Sequence, residues 1–174
     1  LQEMYAWRDA TVNCIAELCP RTILEIGVGS GLIMYPLLDK VDKYVGLDIS
    51  NTVIKRHKDC LSDMNTAVDL YHLSADNVDE ICTGYLFDCV ILNSVVQYFP
   101  SIDYFVDVVT KALSKLRVGG SLFIGDIRNY NLHRTLIQDK LIYERGAYTT
   151  TDIERMFFAE NELDYDAETT IRRE

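Results

Sequence analysis

Two rhythms of apolar residues alternate along the chain. Short apolar runs occur near 22–27, 43–48, 67–73, 86–92 and 121–126, and between them apolar positions recur at helical spacing or give way to turns. Strand-length runs alternating with helical patterns predict an α/β fold: a mainly parallel sheet with helices on both faces. The first helix carries Met4, Trp7, Thr11, Cys14, Ile15 and Leu18 on its apolar spacing and ends before Pro20. Its expected task is packing against the sheet; a lid role for Tyr5 and Trp7 is the alternative. Pro36 falls within the run Leu32 to Leu38, so that helix should kink or start late. The best helix covers 102–116, with Ile102, Phe105, Val109, Ala112, Leu113 and Leu116 inward and Ser101 as N-cap. Gly119-Gly120 should turn the chain into the run Ser121 to Asp126. A helix over 132–145 should stop at Gly146, and Thr151-x-x-Glu154 reads as a capping box. With no repeat, low-complexity tract or linker, residues 1–174 read as one domain, and the acidic last dozen residues as frayed.

The first and second strand runs carry the chemistry. Ile23-Leu24-Glu25-Ile26-Gly27-Val28-Gly29-Ser30-Gly31 is answered by Tyr44-Val45-Gly46-Leu47-Asp48, whose acid lies 17 residues after Gly31. Glycines after a first strand let a ligand approach the backbone, and an acid ending the second strand can accept from ribose hydroxyls. A dinucleotide fingerprint would need its third glycine at position 32, which is Leu32. The spacing here, with Glu25 two residues before Gly27, is E-x-G-x-G-x-G. It resembles the first motif of class I S-adenosylmethionine (SAM) methyltransferases. SAM has no pyrophosphate; its methionine end needs a tight backbone bend and acceptors for its ammonium, from Glu25 or nearby carbonyls. Asp48 is then the ribose acceptor and Ile49 packs on adenine. Asp76, in Leu73-Ser74-Ala75-Asp76-Asn77, occupies a position where such enzymes often place an acid against the adenine amino group. A strand-turn-helix whose glycines only relieve crowding would leave Asp48 unexplained.

Charge and cysteine content narrow the setting. A formal net charge of −10 with scattered Lys and Arg argues against nucleic acid or an anionic membrane as partner. No apolar run approaches a membrane span. The five cysteines form no C-x-x-C pair and lie mostly in apolar patterns, so they read as buried, reduced thiols. With three dispersed histidines, this predicts a cytoplasmic protein without a metal.

Further motifs narrow the family. Trp7-Arg8-Asp9-Ala10-Thr11-Val12, the two strand motifs, Asn93-Ser94-Val95-Val96-Gln97-Tyr98-Phe99-Pro100 and Phe123-Ile124-Gly125-Asp126-Ile127-Arg128-Asn129 follow in that order. Together they resemble methyltransferase domains embedded in nonribosomal peptide synthetases and hybrid polyketide assembly lines. The resemblance implies a Rossmann-like methyltransferase fold, SAM as cofactor, and neighbouring synthetase domains as partners. It also implies an acceptor held as a thioester on a carrier domain, methylated most often at nitrogen. Asn93, Gln97 and Arg128 are the candidate catalytic residues, and Asn93, beside the expected place of the methyl group, also counts with Glu25, the three glycines, Asp48, Ile49 and Asp76 among the candidate cofactor-binding residues. Asn93 can hold the substrate or merely cap a turn, and Arg128 can orient a carbonyl or pair with Asp126. Asn129 belongs to the same loop, and His133 is a candidate base. No His-Glu pair stands at cleft positions, which favours a neutral amine over a carbon nucleophile that needs deprotonation. A stand-alone small-molecule methyltransferase and a degenerate structural domain are the alternative readings.

Members of this fold usually add two strands after the fifth. Here 48 residues follow Asp126 and read mostly as helix, with at most one weak strand from Leu163 to Ile171. The expectation is a lacking or truncated C-terminal hairpin; with its opening at Leu1, the chain reads as a piece of a larger protein or a minimal version. The glycine spacing predicts that the chain binds SAM and S-adenosylhomocysteine (SAH) in preference to NAD. Titration calorimetry with the three ligands checks this.

Overall fold

Five strands form one sheet in the order β3-β2-β1-β4-β5, and each neighbouring pair is parallel. The computed structural model describes residues 2–62, 67–127, 130–147 and 149–156, with the backbone alone at 130, 131, 133 and 145. Along the chain these are α1 (Gln2–Glu17), β1 (Thr22–Ile26), α2 (Met34–Leu37), β2 (Lys43–Asp48), α3 (Asn51–Leu61), β3 (Val68–His72), β4 (Phe87–Asn93), α4 (Ile102–Ser114), β5 (Leu116–Gly125) and α5 (Tyr130–Arg145). A last described helix covers 150–156. None of the described helices is long and apolar enough to cross a membrane.

The chain divides into two compact units. One comprises Leu1–Val95 with Val106–Gly125; the other comprises Val96–Phe105 with the described part of Asp126–Glu174. In the first, neighbouring residues of one strand point to opposite faces, yet Ile23, Leu24, Val45, Val90 and Ile91 are all fully enclosed. The sheet is therefore covered on both faces, as parallel strands require. On one face Ile23, Tyr44, Cys89 and Ile91 pack with Val12 and Ile15 of α1, Met34 and Leu37 of α2 and Ile54 of α3. In the second unit Ile137 and Leu141 of α5 pack on Ile153, with Met156 beside them.

Several details depart from the sequence pattern. The inward face of α1 is Val12 and Ile15, with Trp7 and Ala16 partly buried, whereas Met4, Cys14 and Leu18 are exposed. Apolar residues surround that helix so evenly that their spacing does not choose a face. For the same reason the expectation of a buried thiol fails at Cys14; it fails also at Cys19, just after α1, and at Cys60, on the outer side of α3, all three being exposed, and only Cys89, on a central strand, is buried. On α4 the inward residues are Val108 and Ala112, while Leu113 faces out. Ser101 caps α4 as expected, accepting from the Tyr104 N–H at 3.2 Å. Pro36 is the third residue of α2, so the helix starts late and the proline costs no internal bond. Gly146, at φ 74°, ends α5 where expected, its N–H donating to the Ile142 carbonyl.

The last helix has its capping box two residues earlier than the pattern indicated. The Thr149 hydroxyl accepts from the Asp152 N–H, and the Asp152 carboxylate accepts from the Thr149 N–H at 2.9 Å. Aspartate takes the reciprocal position here, so the box is Thr149-x-x-Asp152 and not Thr151-x-x-Glu154. Leu163 to Ile171 lies outside the described residues.

Gly119-Gly120 does not precede the fifth strand but lies inside it. Phe87 pairs with Leu116 and Cys89 with Ser121, so a single residue, Asp88, faces Arg117–Gly120 across a bulge. Gly119 has φ 79°, and a side chain on Gly120 would meet the Asp88 and Phe87 carbonyls at 3.1 Å.

Asp88 itself ties three strands at the amino end of the sheet. Its Oδ2 accepts from the Arg21 and Thr22 N–H groups at 2.7 and 2.9 Å, and Arg117 Nε lies 2.6 Å from its Oδ1. The Thr22 hydroxyl in turn accepts from the Asp88 N–H at 3.0 Å. Burial would raise the Asp88 pKa, but the two backbone donors and Arg117 together hold it below the ordinary aspartate value. Asp88→Asn is therefore expected to cost about 2 to 3 kcal/mol of stability at neutral pH, the scale of a hydrogen bond to a charged group. Because the folded pKa is depressed, the unfolded chain takes up the proton first. The contribution is whole above the unfolded aspartate value near about 3.9 and is lost as pH falls through the folded one. Denaturant unfolding of both proteins between neutral and acid pH should show the wild-type advantage shrinking over that range.

Candidate functional site

The strand order places β1 and β4 side by side at the centre, with the chain running outward from them in both directions. Ligands of open parallel sheets bind at the carboxyl ends of strands at such a switch point. Here the loop after β1 runs against the end of β2: the Gly27 and Val28 N–H groups both donate to the Leu47 carbonyl, at 2.8 and 3.1 Å. Gly27, Gly29 and Gly31 have φ of 84°, 53° and 79°, the region glycine adopts without strain. Crowding adds a second demand at two of them. A Cβ on Gly27 would lie 2.8 Å from Val95 beyond β4, and one on Gly31 2.7 Å from the Tyr35 ring. Gly46 on β2 likewise leaves the space that Val28 and Leu70 occupy.

Asp48 ends β2 and is 9% exposed. Its Oδ2 accepts from the Gly29 N–H and its Oδ1 from the Ser50 N–H, both at 2.8 Å. The acid expected to read a ligand therefore also fastens the glycine loop to β2 and to the entry of α3. A carboxylate oxygen can accept twice, so each retains acceptor capacity for a hydroxyl. Ile49, next in the chain, is 75% exposed.

Glu25 is enclosed beneath the loop. Its Oε2 accepts from the hydroxyl of fully buried Tyr44 at 2.7 Å. Burial pushes its pKa up to about 8; the Tyr44 hydrogen bond opposes the rise and the Asp48 charge adds to it. At neutral pH Glu25 therefore holds a proton. Tyr44 is raised well above its ordinary value, by burial first and then by Glu25.

Asp76 lies in the 3₁₀ segment Ala75–Glu80 that follows β3. Two lysines from the α4 side hold this segment by its carbonyls. Lys111 Nζ donates to the Asp76 carbonyl at 2.6 Å, and buried Lys115 donates to the carbonyls of Ile81 and Asp79. Sequence reasoning missed both. The available signal was their spacing of four with Lys111 three residues after inward Val108, which puts them on one side of the helix.

Asn93 is the last residue of β4 and is 6% exposed. Its Nδ2 donates to the Ser94 hydroxyl at 3.3 Å, while Oδ1 is buried without a hydrogen-bond partner among the described residues. Gly125 at the end of β5 abuts that oxygen; a Cβ there would collide with it. Ser94 has φ 55°, and its N–H donates to the Gly125 carbonyl at 3.2 Å. The first unit thus carries Glu25, Gly27, Gly29, Gly31, Asp48, Ile49, Asp76 and Asn93 along the carboxyl edge of one sheet.

The remaining expected residues belong to the second unit. Gln97 and exposed Tyr98 lie in the 3₁₀ turn Val96–Tyr98, and Phe99 is buried with its ring 5.0 Å from that of Tyr104. Asp126 follows β5 with φ 58°. Arg128 and Asn129 lie outside the described residues, as does the side chain of His133.

Comparison with known proteins bears on this edge. The family described as "Methyltransferase domain" matches residues 24–122, from the first glycine strand into β5. The chain is 34% identical over 172 residues to the nonribosomal peptide synthetase agiA of Aspergillus flavus, covering 94% of this chain and 2% of that protein. It is also 34% identical over 164 residues to the beauvericin nonribosomal cyclodepsipeptide synthetase of Beauveria bassiana, covering 92% of this chain and 5% of that protein. The chain therefore spans a few hundredths of the length of these relatives. Among solved structures, the N-methyltransferase NodS of Bradyrhizobium japonicum, in complex with S-adenosyl-L-homocysteine, is similar in fold. Its TM-score is 0.62 at 17% identity, covering 77% of this chain and 65% of that one. The glycine edge, the parallel sheet and the match over more than half of the residues agree: the chain belongs to the methyltransferase domain family, as a SAM-dependent methyltransferase of Rossmann-like fold.

Proposed function

We propose that the chain N-methylates an aminoacyl or peptidyl group held as a thioester on a carrier domain, within a nonribosomal peptide synthetase. The likeness to segments of such synthetases over most of the chain supports the substrate class. Residues 1–174 are read as one methyltransferase domain whose partners are the neighbouring synthetase domains.

The first unit fits SAM on two counts: the glycine cradle has no room for side chains at Gly27 and Gly31, and an unpartnered buried acceptor stands at the end of β4. Asp48 is assigned the ribose, Ile49 an adenine face and Asp76 the adenine amino group. The loop from Gly27 to Gly31 receives the methionine end, with Glu25 beneath it. When bound, SAM supplies an electrophilic methyl group on a sulfonium that leaves readily.

The chain's remaining work is placement. An amine nucleophile must be neutral and aligned, and positioning supplies much of the rate in such a reaction. Asn93 is the observation that carries the choice of nitrogen: an amide oxygen without a partner can accept an N–H of the amine and so direct its lone pair. Gln97 and Arg128 are assigned to the acyl side of the substrate, as the motifs containing them imply. The proton leaving nitrogen needs only solvent, which suits an edge whose expected residues include no His-carboxylate pair.

Three experiments test this reading. Asp48→Ala should weaken SAH binding by about 3 kcal/mol, since the variant loses a charged acceptor for ribose and also the tie to Gly29. Unchanged affinity in the folded variant would move the ribose contact to another residue. A methyl-transfer assay with labelled SAM should show carrier-loaded amino acid turned over far better than the free amino acid, with the label on nitrogen by mass spectrometry. Asn93→Ala should lower turnover by about tenfold or more with SAH affinity little changed. Label on carbon or sulfur, or equal use of the free amino acid, would overturn the proposed acceptor.

A further inference from the structure

Gly29 differs from the glycines on either side of it. A Cβ on it would meet nothing closer than the Gly27 carbonyl at 4.0 Å, so crowding does not set its conformation. Hydrogen bonds to side chains do. Its N–H donates to Asp48 Oδ2 at 2.8 Å, and its carbonyl lies 2.9 Å from Nε2 of His57 on α3. Both polar groups of one loop residue are thereby held by other elements.

The state of the His57 ring follows from its partners. A carbonyl oxygen only accepts, so Nε2 carries the hydrogen. The second nitrogen, Nδ1, lies 2.9 Å from the Tyr35 hydroxyl, which donates to it in the neutral ring and fixes that tautomer. The ring is 1% exposed and stacks edge-on against Tyr35 with centroids 5.4 Å apart. A Cβ on Gly31 would lie 3.0 Å from His57 Cε1, so the imidazole also fills the space beside the third glycine. With both nitrogens engaged and the ring enclosed, His57 is not placed to take a proton from a substrate.

We propose that His57 is a positioning residue for the cofactor loop: holding the Gly29 carbonyl, it sets the backbone that receives the methionine end of SAM, with Tyr35 fixing its tautomer. This inference rests on the glycine loop being the SAM seat. It makes a demand that a general structural role would not, because only ligands with a methionine end should sense it.

The test compares SAH with adenosine, which lacks that end, by calorimetry on the full chain, with thermal unfolding alongside. His57→Leu keeps bulk and removes the donor from the half-buried Gly29 carbonyl. It should weaken SAH about tenfold, the effect of about 1.4 kcal/mol, while adenosine affinity stays within about twofold. His57→Gln returns an N–H donor and should recover most of the SAH affinity. Equal loss of both ligands, unchanged SAH binding in His57→Leu, or no advantage of Gln over Leu would overturn the assignment. If His57→Leu does not fold, Tyr35→Phe decides: a loss of about threefold for SAH alone supports the assignment, and unchanged SAH affinity overturns it. Wild-type chain that binds no SAH would refute the cofactor seat itself, a result distinct from any of these.

Discussion

The carboxyl edge of the sheet is organised by the absence of a side chain at Gly27. The backbone leaving β1 passes so close to Val95 that a single added carbon would sit at 2.8 Å, so the loops after the parallel neighbours β1 and β4 are in close contact where they leave the sheet. Gly46 does the same one layer down, where Val28 folds over β2. Close-packed interiors transmit such shifts rather than absorb them. The start of the glycine loop is therefore placed together with Val95 on one side and, through Val28, with β2 on the other.

Within that constraint, three acids of similar chemistry are driven into different states by their surroundings. Asp88 sits at the amino end among two backbone donors and a guanidinium and is held ionised. Asp48 sits at the carboxyl end and divides its oxygens between the loop and the start of α3. Glu25 is buried on β1, accepts from a tyrosine hydroxyl and holds a proton at neutral pH. Strand pairing and loop anchoring thus use the same kind of group at opposite ends of one sheet.

Much of this could be read from the sequence, and the reasons are local. The central strands β1 and β4 were legible because burial on both faces forces apolar runs, and the glycine loop because positive φ restricts residue choice. The limits were also physical. Helix α1 is apolar on too many sides for spacing to reveal its face, and Gly119-Gly120 signals a change of direction without saying whether a turn or a bulge makes it. Asp88 looked like any acid at a strand start, because its donors come from Arg21, Thr22 and Arg117, far away in sequence. His57 was silent for a similar reason. A histidine in an amphipathic helix has no pattern of its own, and its partners are a carbonyl and a hydroxyl that only the folded chain supplies.

The enclosed Glu25 also gives folding a proton balance. Between the ordinary glutamate value of about 4.3 and its own value of about 8, the folded chain keeps a proton that the unfolded chain has released. Folding takes up a proton across that interval, so this group lowers stability progressively as pH rises and has no further effect above it. The slope is opposite in sign to that of Asp88 and lies at higher pH. The first unit is thus eroded as pH falls through one carboxyl and as pH rises towards about 8 through another, leaving its greatest resistance to unfolding in acidic solution as far as these two groups decide it.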